Sequence, residues 1–284
     1  MNNSNINKLI TEALAIEEEA AKEAGALGYM ARVFTQASLP HSKINGNEYK
    51  RTNGGLTMTV ISPSDVGIPY GSYPRLLMSW ITTESAKKKE PVLMLGASLS
   101  EFMNKIGLTP TGGRWGTIPR LRDQMIRLFS SSISCRYHND SQDAGIGLRV
   151  AKAYDLWWNP KNPDQENIWQ STVTLSQDFF NEIINNPIPI DLRVLKAIKQ
   201  SAMKLDIYCW LTHRMSYLKK PSEIHWELLQ AQFGAGYTRT RDFKEAFSEH
   251  LKGILVFYDA NVDAAEHGLI LKPSNTHIKM LEKV

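Results

Sequence analysis

The chain has 284 residues, 42% hydrophobic and 22% charged, the balance of a globular protein with one large or two medium cores. Its formal charge of +4 permits an anionic partner without requiring one. No run reaches the 18 or more apolar residues of a membrane span, and the opening MNNSNINKLI lacks the charged and apolar regions of a secretory leader. Cys135 and Cys209 lie in apolar runs, far apart, and are expected to stay reduced in a cytoplasm.

Residues 4–36 place Leu9, Ile16, Ala20 and Leu27 among EEEAAKEAG and read as a helix, either solvated or dimerising, within an N-terminal arm over 1–37. EYKRTNGGLTMTVIS reads as two strands around an Asn53-Gly54 turn. A helix follows over 74–88, opened by Pro74, and another over 98–105, where Ser98 and Glu101 have the spacing of a capping box. The glycine-rich loop 107–116 leads into a third helix, 117–130. SISCRYH and GIGLRVAKAYDLWW then read as a hairpin, and NPKNPDQEN, over 159–167, as a linker. Beyond it come a strand in STVTLS, helices near 177–185, 191–202, 205–218, 222–232 and 237–252, and a closing hairpin in GILVFYDANVDAAEHGLILKP.

The two halves repeat. Trp80-Ile81-Thr82 matches Trp210-Leu211-Thr212, Phe102 to Gly107 matches Leu229 to Gly234, and Leu121 to Asp123 matches Arg241 to Phe243 to within one residue. Ile133 to Cys135 matches Ile254 to Val256, and Gly147-Leu148 matches Gly268-Leu269. Five matches in one order predict a duplicated unit of three helices and a hairpin. The expected fold is therefore α+β, mainly helical, with two tandem winged-helix domains, 38–160 and 168–284, behind the N-terminal helix.

In a winged helix the third helix packs one face on the core and offers the other to the DNA major groove. At 100° per residue, Phe247, His250, Leu251 and Ala246 fall within about 80° of Phe243. Tyr237, Arg241, Lys244 and Ser248 share the opposite surface, bordered by Thr238; Arg239 sits in the first turn, where it reaches toward a phosphate. Arg suits a bidentate contact to guanine, and Lys and hydroxyls suit phosphates. The alternative is a solvated face with ordinary charges.

The first unit differs. With Leu121 at zero, Ile118, Met125, Leu128 and Phe129 form the core face, and Arg120, Arg122 and Arg127 share the outer face with Asp123 and Ile126. That mixture suits phosphates or a protein interface better than bases. Arg114 and Trp115 precede it; Trp115 either lies on the DNA backbone or caps the core. The hairpins add Arg136, Arg149 and Lys152 in the first unit and Lys272 in the second.

Signals for enzyme chemistry are missing from the sequence. The 107–114 loop lacks the Gly-Lys-Ser/Thr ending of a phosphate loop, the histidines form no HExxH pair, the cysteines are not spaced for zinc, and no Gly-x-Ser-x-Gly occurs. No cofactor or metal is expected. A lone tyrosine such as Tyr137 has no visible metal partner for attack on a DNA phosphate.

TGGRWGTIPRLRDQM and DIYCWLTHR, with LPHSK and EYKRTNGGLTMTVISPSDVGIPYGSYPRLLMSWITTE, resemble the plasmid-encoded RepA family of replication initiators, over roughly residues 38–275. More distantly, the doubled unit is similar to tandem winged-helix initiators. The resemblance implies binding to repeated sites in double-stranded plasmid origin DNA by a bacterial cytoplasmic protein. It implies base reading by the C-terminal unit, and backbone contact and dimerisation by the N-terminal one. It also implies a homodimer exchanging with monomer, recruitment of host helicase and initiator proteins, and repression of its own gene. It carries over no catalytic residues. A winged-helix transcriptional repressor is the alternative, and an origin-nicking enzyme a third reading.

Overall fold

A computed structural model describes residues 21–36, 38–141, 143–157, 161–165, 171–234 and 236–278. The helix expected over 4–36 is not what its described part forms; residues 1–20 lie outside the described residues. Ala21–Gly25 turns, with Gly25 at φ 65°, and β1 (Leu27–Ala31) follows, then the short α1 (Val33–Gln36). Tertiary pairing overrides helical propensity here. β1 pairs antiparallel with β9 (Pro187–Asp191), and Tyr29 N–H donates to Thr83 Oγ1 at 2.8 Å. Gly28 permits the approach: a Cβ there would sit 2.5 Å from the Leu192 side chain.

β2 (Glu48–Asn53) and β3 (Leu56–Ile61) form the expected hairpin, with its turn at Gly54-Gly55, one residue later than predicted. From there both halves follow one order of helix, strand, helix, helix, strand, strand. The first half runs α2 (Ser72–Lys88), β4 (Val92–Met94), α3 (Leu99–Lys105), α4 (Thr117–Ser130), β7 (Ala151–Asp155) and β8 (Thr172–Leu175). After α5 (Gln177–Asn185), β9 and α6 (Leu192–Ile198), the second half runs α7 (Ala202–Tyr217), β10 (Ser222–His225), α8 (Trp226–Phe233), α9 (Thr240–Leu255), β11 (Val262–Ala264) and β12 (Gly268–Leu271). The sheets correspond: β4-β8-β7 and β10-β12-β11, antiparallel, each with its last strand in the centre.

Two of the five repeat matches do not survive. The hairpin β5 (Ser132–His138) and β6 (Asp143–Arg149) forms, but it is an insertion between α4 and β7 and joins β2 and β3 in a sheet ordered β2-β3-β5-β6. Its register puts Ile133 beside Val60 and Cys135 beside Met58, all buried. Ile254 and Leu255, by contrast, end α9, so Ile133 to Cys135 has no counterpart there, and Gly147-Leu148 is not the equivalent of Gly268-Leu269. The paired strands of the first half are instead β7 and β8. The described part of the predicted linker, 161–165, lies between them, and β8 belongs to the first sheet. The predicted helix over 222–232 also divides, because Ser222–His225 pairs with β12.

The helices themselves have clear causes. Ser98 Oγ accepts from Glu101 N–H at 3.2 Å, and the Glu101 carboxylate reaches back to Ala97 N–H at 2.7 Å. Ser176 and Ser201 cap α5 and α7 with the hydroxyl alone, accepting from Phe179 and Lys204 N–H at 3.2 Å. α2 and α7 are buried along most of their length and form the centre of a continuous core. In each half a tryptophan from the first helix meets a phenylalanine of the second edge-on: Trp80 with Phe102 at 5.0 Å, and Trp210 with Phe233 at 5.5 Å.

The halves are joined by an ion cluster under this core. Arg75 on α2 grips Asp206 on α7 with Nε–Oδ1 at 2.6 Å and Nη2–Oδ2 at 2.7 Å. Its other N–H groups donate to the carbonyls of Leu39, Pro40 and Gly71, and His41 Nε2 lies 2.8 Å from Asp206 Oδ2. Burial alone would raise the Asp206 pKa; the Arg75 charge and the bonds from His41 and Arg75 outweigh it, and the net direction is down.

A second contact, His213 on α7 with Thr35 on α1 at 3.1 Å, makes stability depend on pH. Burial, then Arg32 and Arg214, lower the His213 pKa to about 4. The unfolded imidazole, at about 6.5, binds a proton that the folded one refuses, so stability declines as pH falls from about 6.5 toward 4. His213→Gln is expected to flatten that part of the urea-midpoint profile.

Candidate nucleic-acid interface

α9 is amphipathic for a simple reason: Phe243, Phe247 and Leu251 recur at helical spacing and are buried. Trp226, Phe233, Phe243 and Phe247 form one aromatic cluster, in which Phe247 lies 5.4 to 6.0 Å from each of the other three. His250 is half-buried beside this face; burial, then Lys204, lowers its pKa, and its Nδ1 has no hydrogen-bond partner among the described residues.

The turn into α9 is held by Gln230, which the sequence reading did not single out. Its Nε2 donates to Tyr237 O at 2.9 Å, its Oε1 accepts from Thr240 Oγ1 at 2.7 Å, and its carbonyl accepts from Gly234 N–H and Arg51 Nη2. Gly234 leaves room for this: a Cβ would meet Gln230 Cγ at 2.6 Å. A glutamine four residues before a glycine was the only available signal.

The predicted contact residues divide into three kinds. Arg241 and Thr238 are exposed, and Arg241 makes no ion pair among the described residues. Arg239 is exposed but holds Asp242 at 2.7 Å, an i,i+3 pair on the first turn. Tyr237, Lys244 and Ser248 are half-buried. The Tyr237 ring packs edge-on against Phe243 at 5.7 Å, so this residue belongs partly to the core rather than wholly to the outer face. Lys244 Nζ donates to Glu266 O at 2.9 Å and lies 5.4 Å from the Trp226 ring centroid, which ties α9 to the β11–β12 turn. Trp226 Nε1 donates to Ala265 O in the same turn. Lys272 pairs with Asp263 across β11 and β12 at 2.7 Å.

The equivalent helix α4 buries Ile118, Leu121, Met125, Leu128 and Phe129, the predicted face, and also Gln124, whose Oε1 accepts from Tyr70 N–H. Its entry loop is closed by threonines: Thr111 and Thr117 exchange N–H to Oγ1 bonds at 2.9 Å, and Thr117 Oγ1 donates to Thr109 O at 2.7 Å. Gly116 fits where a Cβ would lie 2.2 Å from Thr111 O. This loop presents Trp115, 74% exposed, with the Arg114 guanidinium 5.1 Å from its ring centroid, so Trp115 does not cap the core.

Arg120 and Arg122 are exposed on α4, Arg120 hydrogen-bonding the Tyr73 side chain. Arg127 is not on an open face. It holds Asp123 at 2.8 Å, donates to Ile68 O and stacks on Tyr70 at 5.5 Å. An i,i+4 carboxylate and a loop carbonyl capture it, which a helical wheel does not see. Arg149 is exposed on β6 and donates to Ser132; Arg136 is paired with Asp143.

Among the described residues no cluster of His, Cys, Asp and Glu could hold a metal ion, and no helix is long and apolar enough to cross a membrane. Cys135 and Cys209 are both buried free thiols, and burial pushes Cys135 up to about 11.

The family described as plasmid-encoded RepA protein matches residues 68–227, more than half of the chain. A crystal structure of selenomethionine derivatives of domains 2 and 3 of RctB shares the fold with a TM-score of 0.54 at 11% identity, covering 86% of this chain and 96% of that one. A second crystal structure of RctB domains 2–3 gives 0.52 at 10% identity, covering 84% and 96%. No curated protein matches the chain.

Proposed function

We propose, from the premise that this chain belongs to the plasmid-encoded RepA family of replication initiators, that it binds double-stranded origin DNA through two winged-helix modules. The observation that carries the reading is the repeated topology, with an exposed arginine at the mouth of each third helix: Arg241 on α9, and Arg114, Arg120 and Arg122 around α4. A helix N-terminus with exposed N–H groups and a nearby guanidinium suits an anion, and an amphipathic helix beside a β turn suits the major groove.

In this reading α9 reads bases. Arg241 makes a bidentate contact to guanine, while Thr238, Arg239 and Ser248 hold phosphates and Lys244 fixes the wing turn 265–267 against the helix. Tyr237 contributes its exposed edge, and Lys272 the base of the wing. The first module holds phosphates with Arg114, Arg120 and Arg122 and supplies a dimer surface; Arg127 supports α4 from beneath, and Arg149 lies on the inserted sheet. The protein then marks a plasmid origin for host helicase and initiator proteins, exchanges between homodimer and monomer, and represses its own gene, in a bacterial cytoplasm. It acts by binding, not catalysis.

The test is a pair of substitutions. Arg241→Ala is expected to cost about 1–3 kcal/mol on its site and to relax preference at one base. Arg122→Ala is expected to weaken all sequences alike and to lower the salt slope by about one. Footprinting and salt titration on DNA flanking the gene would measure both; unchanged affinity and specificity in Arg241→Ala would overturn base reading by α9. Supplying the protein in trans to a plasmid that carries only the origin separates an initiator, which sustains it, from a repressor, which does not.

A further inference from the structure

The loop into α4 ends in a tight turn whose aromatic side chain stands clear of the core. Gly116 N–H donates to Gly113 O at 3.1 Å, which makes Arg114 and Trp115 the two central residues of a β-turn. Ile118 N–H donates to Thr111 O at 3.2 Å, and the Thr111–Thr117 exchange closes the loop behind the turn. The tip is therefore held in one shape, with the Trp115 indole 74% exposed and the Arg114 guanidinium beside it.

Folding does not require this exposure. The corresponding turn ahead of α9 has Tyr237 N–H donating to Gly234 O at 2.9 Å, and there the aromatic ring is tucked against Phe243. Trp115 does not belong to an apolar patch either. Between Leu108 and Leu121 the other exposed residues are threonines, glycines, arginines and Pro119. The core of a protein–protein interface is contiguous apolar surface depleted in charge. A lone indole among guanidiniums and hydroxyls has instead the makeup of a stacking platform, with a π face for a base and cations for the phosphates on either side.

We infer that the turn 113–116 binds single-stranded DNA, an unpaired base stacking on Trp115 while Arg114, Arg120 and Arg122 hold the flanking phosphates. A paired base exposes its face only after its step is unstacked, at a cost, whereas a base in an open strand offers that face freely. Stacking is sequence-tolerant, so no particular base is selected. The inference rests on the reading of the first module as a DNA-facing surface. It adds to that module a second ligand, the strand released when a duplex opens.

Fluorescence anisotropy with a labelled oligothymidylate of about 20 nucleotides, and with an abasic chain of the same length, tests it. The full-length protein is expected to bind the oligothymidylate about tenfold or more tighter than the abasic chain. Trp115→Ala should reduce that affinity to the abasic level, and Trp115→Phe should recover most of the difference. Trp157→Ala, at a second exposed tryptophan, should change nothing. Circular dichroism and the urea midpoint of Trp115→Ala are expected to match the parent, because the ring stands in solvent. Equal affinity for the two chains, or an unchanged oligothymidylate affinity in Trp115→Ala, would overturn the inference. If that unchanged affinity came with a lower sedimenting mass, the tip would be a contact between protein chains. Duplex DNA flanking the gene, titrated in parallel, separates this inference from base reading by α9. Trp115→Ala should leave duplex affinity unchanged, and an equal loss on duplex and single strand would overturn the single-strand assignment. A parent that binds the oligothymidylate but no duplex would sink the α9 reading and leave this one standing.

Discussion

Arg75→Met is expected to destabilise the protein by about 3–5 kcal/mol, read as a lowered urea midpoint at pH 7. The cause is Asp206, 7% exposed, which would keep its charge or take up a proton at a cost without the guanidinium. The carbonyls of Leu39, Pro40 and Gly71 would lose donors as well. The pH dependence identifies the mechanism. The Asp206 pKa is depressed in the parent, so its contribution is present above the unfolded value near 3.9 and is lost as pH falls through the lower folded value. In Arg75→Met the deficit should shrink on acidification, because a neutral carboxyl is cheaper to bury. Arg75→Met with Asp206→Leu should recover much of the loss, since an apolar pair of similar volume can replace a buried ion pair. A single-variant loss below 1 kcal/mol would show that water reaches Asp206.

Phe247→Ala is expected to cost about 3–5 kcal/mol by the same measurement. Phe247 is fully buried, and its ring meets Trp226, Phe233 and Phe243, so truncation opens a cavity that three rigid aromatics cannot close. Phe247→Leu should cost clearly less, because it retains much of the side-chain volume. Arg241→Ala, on an exposed position of the same helix, should leave the midpoint within about 0.5 kcal/mol. That contrast separates loss of fold from loss of contact when DNA binding is compared across the three variants.

Sequence periodicity was enough for the helices. Phe243, Phe247 and Leu251, or Leu121, Met125 and Leu128, announce a buried face at 3.6-residue spacing whatever lies around them. Strand pairing was harder. β4, β10 and β11 have three or four residues each, too few for an alternating pattern to stand out, and β8 pairs with a strand eighty residues earlier. SISCRYH and the strand after it do look like a wing, but their buried face is completed by Met58 and Val60, a long-range fact that no local window contains. The site was legible to the level of exposure: Arg114, Arg122, Thr238 and Arg241 are open as expected. Arg127 and Tyr237 were misjudged because a neighbouring carboxylate and a phenylalanine ring capture them, and angle alone does not register such partners. The Arg75–Asp206 pair had no sequence signal, since 131 residues separate its ends.

The pairing of β1 with β9 bears on how this protein can be cut and tagged. A vector designed around a dispensable leader would begin near residue 38, ahead of the first hairpin. Such a truncation would strip a strand from β9, uncover Met30 and Ala31 contacts on α2, and remove Thr35 from His213. A product starting there should express poorly or aggregate through the exposed edge of β9, whereas one starting near residue 21 retains the whole ribbon.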